Sequence, residues 1–383
     1  MKKIAIIGGG ISGLYIANLL RQNSNYEITI YEKNNSVNLE KGYGIQLSVN
    51  SIKLLNEIGF QNINLEDKFY PNKVDFYSLK NNKKICDLNI SVFNSAEAKH
   101  TTLQRFTLIN FFKNRLPDNL INYNKKVTKI DYKSDNIEVT FENSVSIKCD
   151  YLIISDGIFS KSKSLIAKRE IKPKYFKSIA IRATIDRDSL QGIDPNNISL
   201  SLGSNLHCVS YPIDNRGQFN FISILRKKLS DSELSDYSLF EKRDFISSIL
   251  SEISKQVDLD IIKNLKDIKC FPVFVSSEIH QPINKNTFII GDAFFSFPPT
   301  FAQGASQSIE VAHELYKNLE SLRDQINHER IKRTKMIDWK SKFNYFTFHL
   351  SNPLLIWIRN TIMKYLVKNN KFINNYLGKI YKN

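Results

Sequence analysis

The chain has 383 residues, 42% of them hydrophobic, and its 54 Lys and Arg against 38 Asp and Glu give a formal charge of +16. Those values describe a soluble globular protein long enough for two joined domains, and no run approaches the roughly 18 apolar residues of a membrane span. The basic excess is spread along a Lys-, Asn- and Ile-rich chain rather than gathered into a tract, which argues against a nucleic-acid-binding protein.

In chain order, residues 4–7 read as a short buried strand, stopped by Gly8-Gly9-Gly10-Ile11-Ser12-Gly13. That apolar run is too short for a signal peptide. An amphipathic helix carrying Leu14, Ala17 and Leu20 follows, then a second strand over 28–32 that ends at Glu32-Lys33. Helices are predicted over 51–59 and 103–116, and strands over 137–141 and 151–154, the latter running into Asp156-Gly157. The spacing changes from 178 to 225, where four strand-like runs (179–185, 198–202, 207–211, 219–225) are separated by Gly, Asn and Asp. A helix is predicted over 237–255, a buried strand over 288–290 leading into Gly291-Asp292-Ala293, and a helix over 305–319. The fold class expected is α/β, with a Rossmann-like domain, an inserted and mainly antiparallel sheet domain, and a C-terminal helical segment. The divisions are 1–72, 95–172 and 270–325 for the first, 73–94 and 173–269 for the second, and 326–383 for the third.

The strand, glycine turn and helix at the N-terminus suit a dinucleotide. Gly8 permits a tight turn, Gly10 lets backbone approach a pyrophosphate, and Gly13 allows close helix–strand packing, while the N–H groups at Ile11 and Ser12 face the phosphates. Glu32, 19 residues after Gly13, is placed to accept the ribose hydroxyls of NAD or FAD and to repel a 2′-phosphate. Asp292 ends a strand where ligand groups collect in open α/β sheets, and its carboxylate suits a ribityl chain, which NAD lacks. Pro298 and Pro299 stiffen the next loop. Gly304 lets backbone approach a planar ring, and the helix beginning there aims its positive end at that ring. Arg105 reads on its own as either a solvated helix residue or a phosphate clamp.

Taken together these residues resemble the FAD-dependent aromatic-ring hydroxylases, the single-component flavoprotein monooxygenases of the ubiquinone-pathway and hydroxybenzoate hydroxylase type. The resemblance covers about 1–325. It rests on Gly8, Gly10, Gly13 and Glu32; on Gly42-Tyr43-Gly44-Ile45-Gln46-Leu47; on Gln104-Arg105; on Asp156-Gly157-Ile158-Phe159-Ser160 with Lys163 in place of the usual Arg; on Tyr211-Pro212; and on Gly291-Asp292-Ala293, Pro299 and Gln303-Gly304-Ala305. The chain departs from the family at Phe294-Phe295, Ala302 and Glu310-Val311. The resemblance implies FAD as cofactor and NAD(P)H as co-substrate. It also implies hydroxylation of an aromatic or phenolic small molecule through a flavin C4a-hydroperoxide, with Gly8, Gly10, Ile11, Ser12, Gly13, Glu32, Lys33, Gly44, Arg105, Asp156, Gly157, Gly291, Asp292, Gln303, Gly304 and Ala305 holding the cofactor. No catalytic residue is named beyond the loop carrying Pro298, Pro299 and Gly304.

Rival readings are a flavin-dependent reductase of an isoprenoid lipid and a non-catalytic FAD-binding protein. Cys86, Cys149, Cys208 and Cys270 form no CxxC pair, which argues against a disulfide reductase and for a reducing cytoplasm. Trp339 and Trp357 are too far apart for a halogenase motif, and the six histidines show no metal spacing. The stretch 354–367 is apolar with Arg359 and Lys364 interspersed; it reads either as a helix packed on the core or as a peripheral contact with an anionic membrane. Oligomeric state is not legible.

Overall fold

The computed structural model describes residues 1–37, 43–280, 284–319 and 328–381; Gly42 lies outside them. Short β-branched runs pair into a central five-stranded sheet in the order Thr287–Ile289, Tyr151–Ile154, Lys2–Ile7, Tyr26–Tyr31, Ile121–Asn122. Every pairing in it is parallel, both faces are covered, and its two central strands are continuously apolar over residues 4–7 and 151–154. On one face the helices Ile11–Leu20, Val49–Asn56, Arg105–Lys113 and Gly304–Asn318 bury Leu14, Ile52, Leu108 and Ile309 against Ile4, Ile6 and Ile153. On the other, a three-stranded antiparallel sheet (Val127–Tyr132, Ile137–Phe141, Ser146–Cys149) packs Val139 and Phe141 against Ala5, Ile7 and Ile154. Each fully buried Ile or Leu here contributes roughly 1.5–3 kcal/mol of transfer free energy.

The register decides where the loops go. Ile7 lies opposite both Tyr31 and Ile154, and Ile154 lies opposite Ile289. Four strands therefore end in one row, and the residues that follow them (Gly8, Glu32, Ser155 and Ile290) emerge side by side.

A seven-stranded sheet stands beside this unit, in the order Lys266–Val275, Lys174–Asp186, Gln218–Arg226, Leu206–Pro212, Ile198–Leu202, Lys73–Ser78, Lys84–Asn89. It is antiparallel except between Ile198–Leu202 and Lys73–Ser78. One face buries Ile181, Cys208 and Phe221 under the helix Arg243–Ile253; the other, with Tyr211, Val209 and Ile224, faces the nucleotide-type unit and the long helix His328–Phe348.

Two predicted helices are shorter than expected. Thr101–Gln104 is a strand paired with Gly44–Leu47, and the helix begins only at Arg105; the β-branched Thr101 and Thr102 favour the ladder. The segment predicted helical over 237–255 opens with a single tight turn, Tyr237–Glu241. Extended backbone at Lys242 breaks it from the helix Arg243–Ile253.

Candidate functional site

The glycine turn is built by close backbone approach. Gly8 has φ +106°, and a Cβ there would lie 2.5 Å from the Ser155 carbonyl oxygen. A Cβ on Gly13 would lie 2.1 Å from the Gly8 carbonyl oxygen and 2.7 Å from Ser155 Oγ. These two glycines fit protein against protein. Gly10 differs: no protein atom stands within 4 Å of where its Cβ would be. The helix Ile11–Leu20 starts there with no side-chain cap and no acidic residue in its first turn. An open glycine beneath uncapped N–H groups is the arrangement an anionic ligand fills.

Glu32 is buried beside the turn. Its Oε2 accepts the Gly9 N–H at 2.7 Å and its Oε1 accepts the Asn34 N–H at 3.0 Å. Each oxygen retains a lone pair for a further donor. Lys33 next to it is exposed.

The other two motifs close on the first. A Cβ on Gly291 (φ +64°) would lie 2.3 Å from Ser12 Oγ, so the third motif abuts the first. Lys163 Nζ is buried and donates to the Ala293 carbonyl at 3.1 Å, tying the second motif to the third. Asp156 Oδ2 accepts the Ser162 N–H at 3.2 Å, whereas its Oδ1 is buried with no protein partner. Burial raises the Asp156 carboxyl above the usual range, with the hydroxyls of Ser160 and Ser162 drawing it back. Gly157 (φ +81°) leaves open space.

Asp292 is walled in by protein yet keeps its side chain open to solvent, as a group facing the interior of a cleft does. Burial raises its carboxyl, and the Arg105 guanidinium opposes that rise. The third motif and Arg105, from two different elements, therefore act on one space. Gly304 starts the helix Gly304–Asn318 with no side-chain cap, no acidic first turn and open space at its Cβ; Ala305 beside it is half-buried. Just before it, Ala302 is held at φ +50°. In the loop that leads there, Pro298 is buried, Pro299 is exposed, and the Thr300 hydroxyl donates to the Ser341 carbonyl at 2.5 Å.

Gly44 sits differently from the other glycines. A Cβ on it would lie 2.6–2.7 Å from Ile213, Asn220 and Tyr211, and its N–H donates to Asn220 Oδ1 at 2.7 Å. Its visible task is to seat its strand against the seven-stranded sheet.

A buried polar network escaped the sequence reading. Gln303 Nε2 donates to Ser48 Oγ at 3.3 Å, Ser48 Oγ to Ser306 Oγ at 3.0 Å, and Gln307 Nε2 to Gln303 Oε1 at 3.3 Å. Gln307 Oε1 takes Arg330 Nη1 at 2.9 Å, and Glu310 takes Arg330 at 3.0 Å and Arg333 at 2.7 Å. Burial pushes the Glu310 carboxyl up, but the two guanidiniums outweigh it and hold the carboxyl below its usual range. The long helix His328–Phe348 is thereby clamped to the helix that starts at Gly304. In the sequence only the recurrence of polar residues at Gln303, Ser306, Gln307, Glu310 and Glu314, three to four apart along one helix, hints at this.

The histidine pair was also missed. His207 Nδ1 and His349 Nε2 lie 2.7 Å apart, both buried, and burial lowers their pKa, that of His207 to about 3, so both are neutral at pH 7. Among the described residues, no group of three His, Cys, Asp or Glu side chains is placed to hold a metal ion.

These residues fit FAD: two uncapped helix N-termini, a half-satisfied Asp156, and Asp292 facing the space between them. Comparison with known proteins agrees, since the family described as FAD binding domain matches residues 1–333. The chain belongs to that family. Curated relatives include a 3-amino-4-hydroxybenzoate 2-monooxygenase of Streptomyces platensis, 24% identical with 81% of this chain and 77% of the relative covered. A salicylate hydroxylase of Pseudomonas putida is 22% identical, with 83% and 76% covered. Among solved structures, Klebsiella pneumoniae HpxO complexed with FAD and uric acid superposes with a TM-score of 0.81 at 17% identity, covering 98% of this chain and 95% of that one. A salicylate hydroxylase substrate complex gives 0.74 at 15%, with 96% of each covered. The FAD-type α/β unit, the sheet domain and the helical C-terminus are thus a shared fold.

Proposed function

We propose that the chain is an FAD-dependent monooxygenase that uses NAD(P)H and O2 to hydroxylate a small, electron-rich aromatic ring, preferably one carrying a phenolate or carboxylate. What supports this reading is the row of four strand ends, which Gly10, Asp156 and Asp292 follow closely in sequence, beside the inner face of the seven-stranded sheet.

In this reading the pyrophosphate lies on the Ile11–Leu20 N-terminus, with Glu32 at the adenosine ribose and Arg105 and Asp292 at the ribityl and phosphate side. Gly8, Gly13 and Gly291 support that cradle by packing, and Gln303, Gly304 and Ala305 face the ring. Bound there, the flavin supplies transfer of one oxygen atom from O2 at the expense of NAD(P)H. The uncapped N-terminus of Gly304–Asn318 would favour negative charge on a ring held there by roughly 0.3–2 kcal/mol. The substrate lies between the 298–304 loop and the sheet strands through Arg182, Val209 and Tyr211, with Tyr345 of the long helix excluding water. Arg182 gives the substrate space its charge. Its guanidinium stacks 5.8 Å from the Tyr43 ring and lowers the pKa of Tyr211, which burial raises more strongly. A cation over the sheet favours an anionic ring.

The test is NAD(P)H oxidation and O2 uptake by the FAD-loaded protein across a panel of phenols and hydroxybenzoates, with products identified by mass. Oxygen incorporation into a carboxylated or hydroxylated ring supports the reading. No stimulation by any member, or reduction of an isoprenoid lipid instead, rejects it. Arg182→Gln is expected to raise KM for carboxylated substrates roughly tenfold with a smaller effect on kcat.

A further inference from the structure

The helix Pro353–Leu366 carries apolar side chains on its outward side as well as its inward one. Its inward side carries Ile356, Arg359, Asn360, Met363 and Leu366; Arg359 is buried and its Nη1 donates to the Thr347 carbonyl at 3.0 Å, pinning the helix to the end of the preceding one. Its outward side carries Leu354, Leu355, Trp357, Ile358, Ile362 and Tyr365, with Trp357 65% and Tyr365 73% exposed. The preceding helix adds exposed Trp339, Phe343 and Phe346, the first two stacked at 5.4 Å. Scattered exposed apolar side chains need no explanation, but a helix that turns Trp, Tyr, Leu and Ile to water and Arg inward does.

From these observations we infer that the outward face of Pro353–Leu366 docks this protein on an anionic phospholipid surface. Charge selects this occupant over a second copy of the chain: after Asp338 the sequence contains no Asp or Glu, and every charged residue is Lys or Arg. Lys364, Lys368 and Lys371 are exposed at the end of the helix that bears the apolar face. Each lysine near an anionic surface adds about 1 kcal/mol of attraction, about fivefold in binding, whereas two such faces brought together would repel. Trp and Tyr at the same face are the side chains that settle at headgroup depth. The helix has 14 residues, about 21 Å long, against a hydrocarbon thickness of about 30 Å. No described helix is long and apolar enough to cross a membrane, so the helix lies on the surface.

The inference goes beyond the proposed chemistry and does not depend on it. The full FAD-loaded chain is floated with vesicles of phosphatidylcholine, and of phosphatidylcholine mixed with phosphatidylserine, at low and high ionic strength. Wild type should float with the anionic vesicles and be released by salt, and W357E/I362E should lose partition by roughly tenfold or more. FAD binding and soluble-substrate turnover, measured without lipid, should match wild type in the variant and separate failure here from failure of the enzymatic reading. Wild type that stays soluble with anionic vesicles, or a variant that floats equally well, overturns the inference. So does a wild-type dimer in sedimentation that the same variant dissociates, since the face then belongs to a second copy.

Discussion

Glu310→Gln tests the clamp that holds the long helix His328–Phe348 to the helix starting at Gly304. Glu310 is 6% exposed, and its carboxylate takes Arg330 Nη1 at 3.0 Å, Arg333 Nε at 2.8 Å and Arg333 Nη2 at 2.7 Å, besides the Asn50 amide. Gln keeps the shape but loses the charge and turns an NH2 toward donors. Breaking a buried pair from one side costs about 3–5 kcal/mol. Arg330 keeps Glu314 and Gln307, and Arg333 keeps the carbonyls of Lys379 at 2.9 Å and Ile380 at 2.8 Å. That places the cost at the lower end, about 3 kcal/mol, or a fall in Tm on the order of 5–10 °C. The assay is thermal unfolding of the FAD-loaded protein against pH. The native Glu310 carboxyl sits below its ordinary value, so its contribution is complete above the unfolded pKa of about 4.3 and is lost as pH falls through the native value. Wild type and variant should therefore converge in acid and differ most near neutrality. The double variant E310Q/R333M should recover part of the loss, since it removes the uncompensated guanidinium. A variant within about 0.5 kcal/mol of wild type at pH 7 refutes the clamp.

The glycines divide by what they touch. Gly13→Ala forces a methyl to 2.1 Å from the Gly8 carbonyl and should cost about 3 kcal/mol or more in urea unfolding. Gly10→Ala meets no protein atom within 4 Å and should stay within about 1 kcal/mol in stability while weakening FAD; equal destabilisation by both contradicts this division. Ala302→Gly relieves a φ of +50° and should stabilise by up to about 1 kcal/mol in thermal melts, with a loss counting against strain at that loop. For Asp292 the raised native pKa means its contribution in cofactor-stripped protein is complete below about pH 3.9 and is lost as pH rises through the native value. Asp292→Asn should then gain stability relative to wild type from acid to neutral pH, and parallel pH profiles refute the burial argument.

Much of the fold was legible because local and global signals agreed. Residues 137–141, 151–154 and 198–202 alternate or run apolar as strands should, and the structure places strands on those residues. The glycine turn was legible because a strand, three glycines and an amphipathic helix stand in sequence. The helix start at Arg105 was not, because Thr101–Gln104 takes its conformation from pairing with Gly44–Leu47, 54 to 60 residues away, and no local pattern reports a distant partner. Gly44 shows the same limit: its close neighbours Tyr211, Ile213 and Asn220 come from another sheet. The clamp at Glu310 and the His207–His349 pair join residues 20 or more apart in sequence, each ordinary in its local setting. Their role exists only after the chain has folded.

In the proposed function, the four strand ends hold one molecule of FAD between Gly10, Asp156 and Asp292. The direct measurement is the visible absorption spectrum of the purified protein before and after FAD addition and gel filtration, with the cofactor released by heat and quantified. Wild type should show a flavin spectrum with one FAD per chain, and a D156A/D292A variant that still folds should show a marked loss. A colourless wild-type protein that retains no added FAD would contradict it.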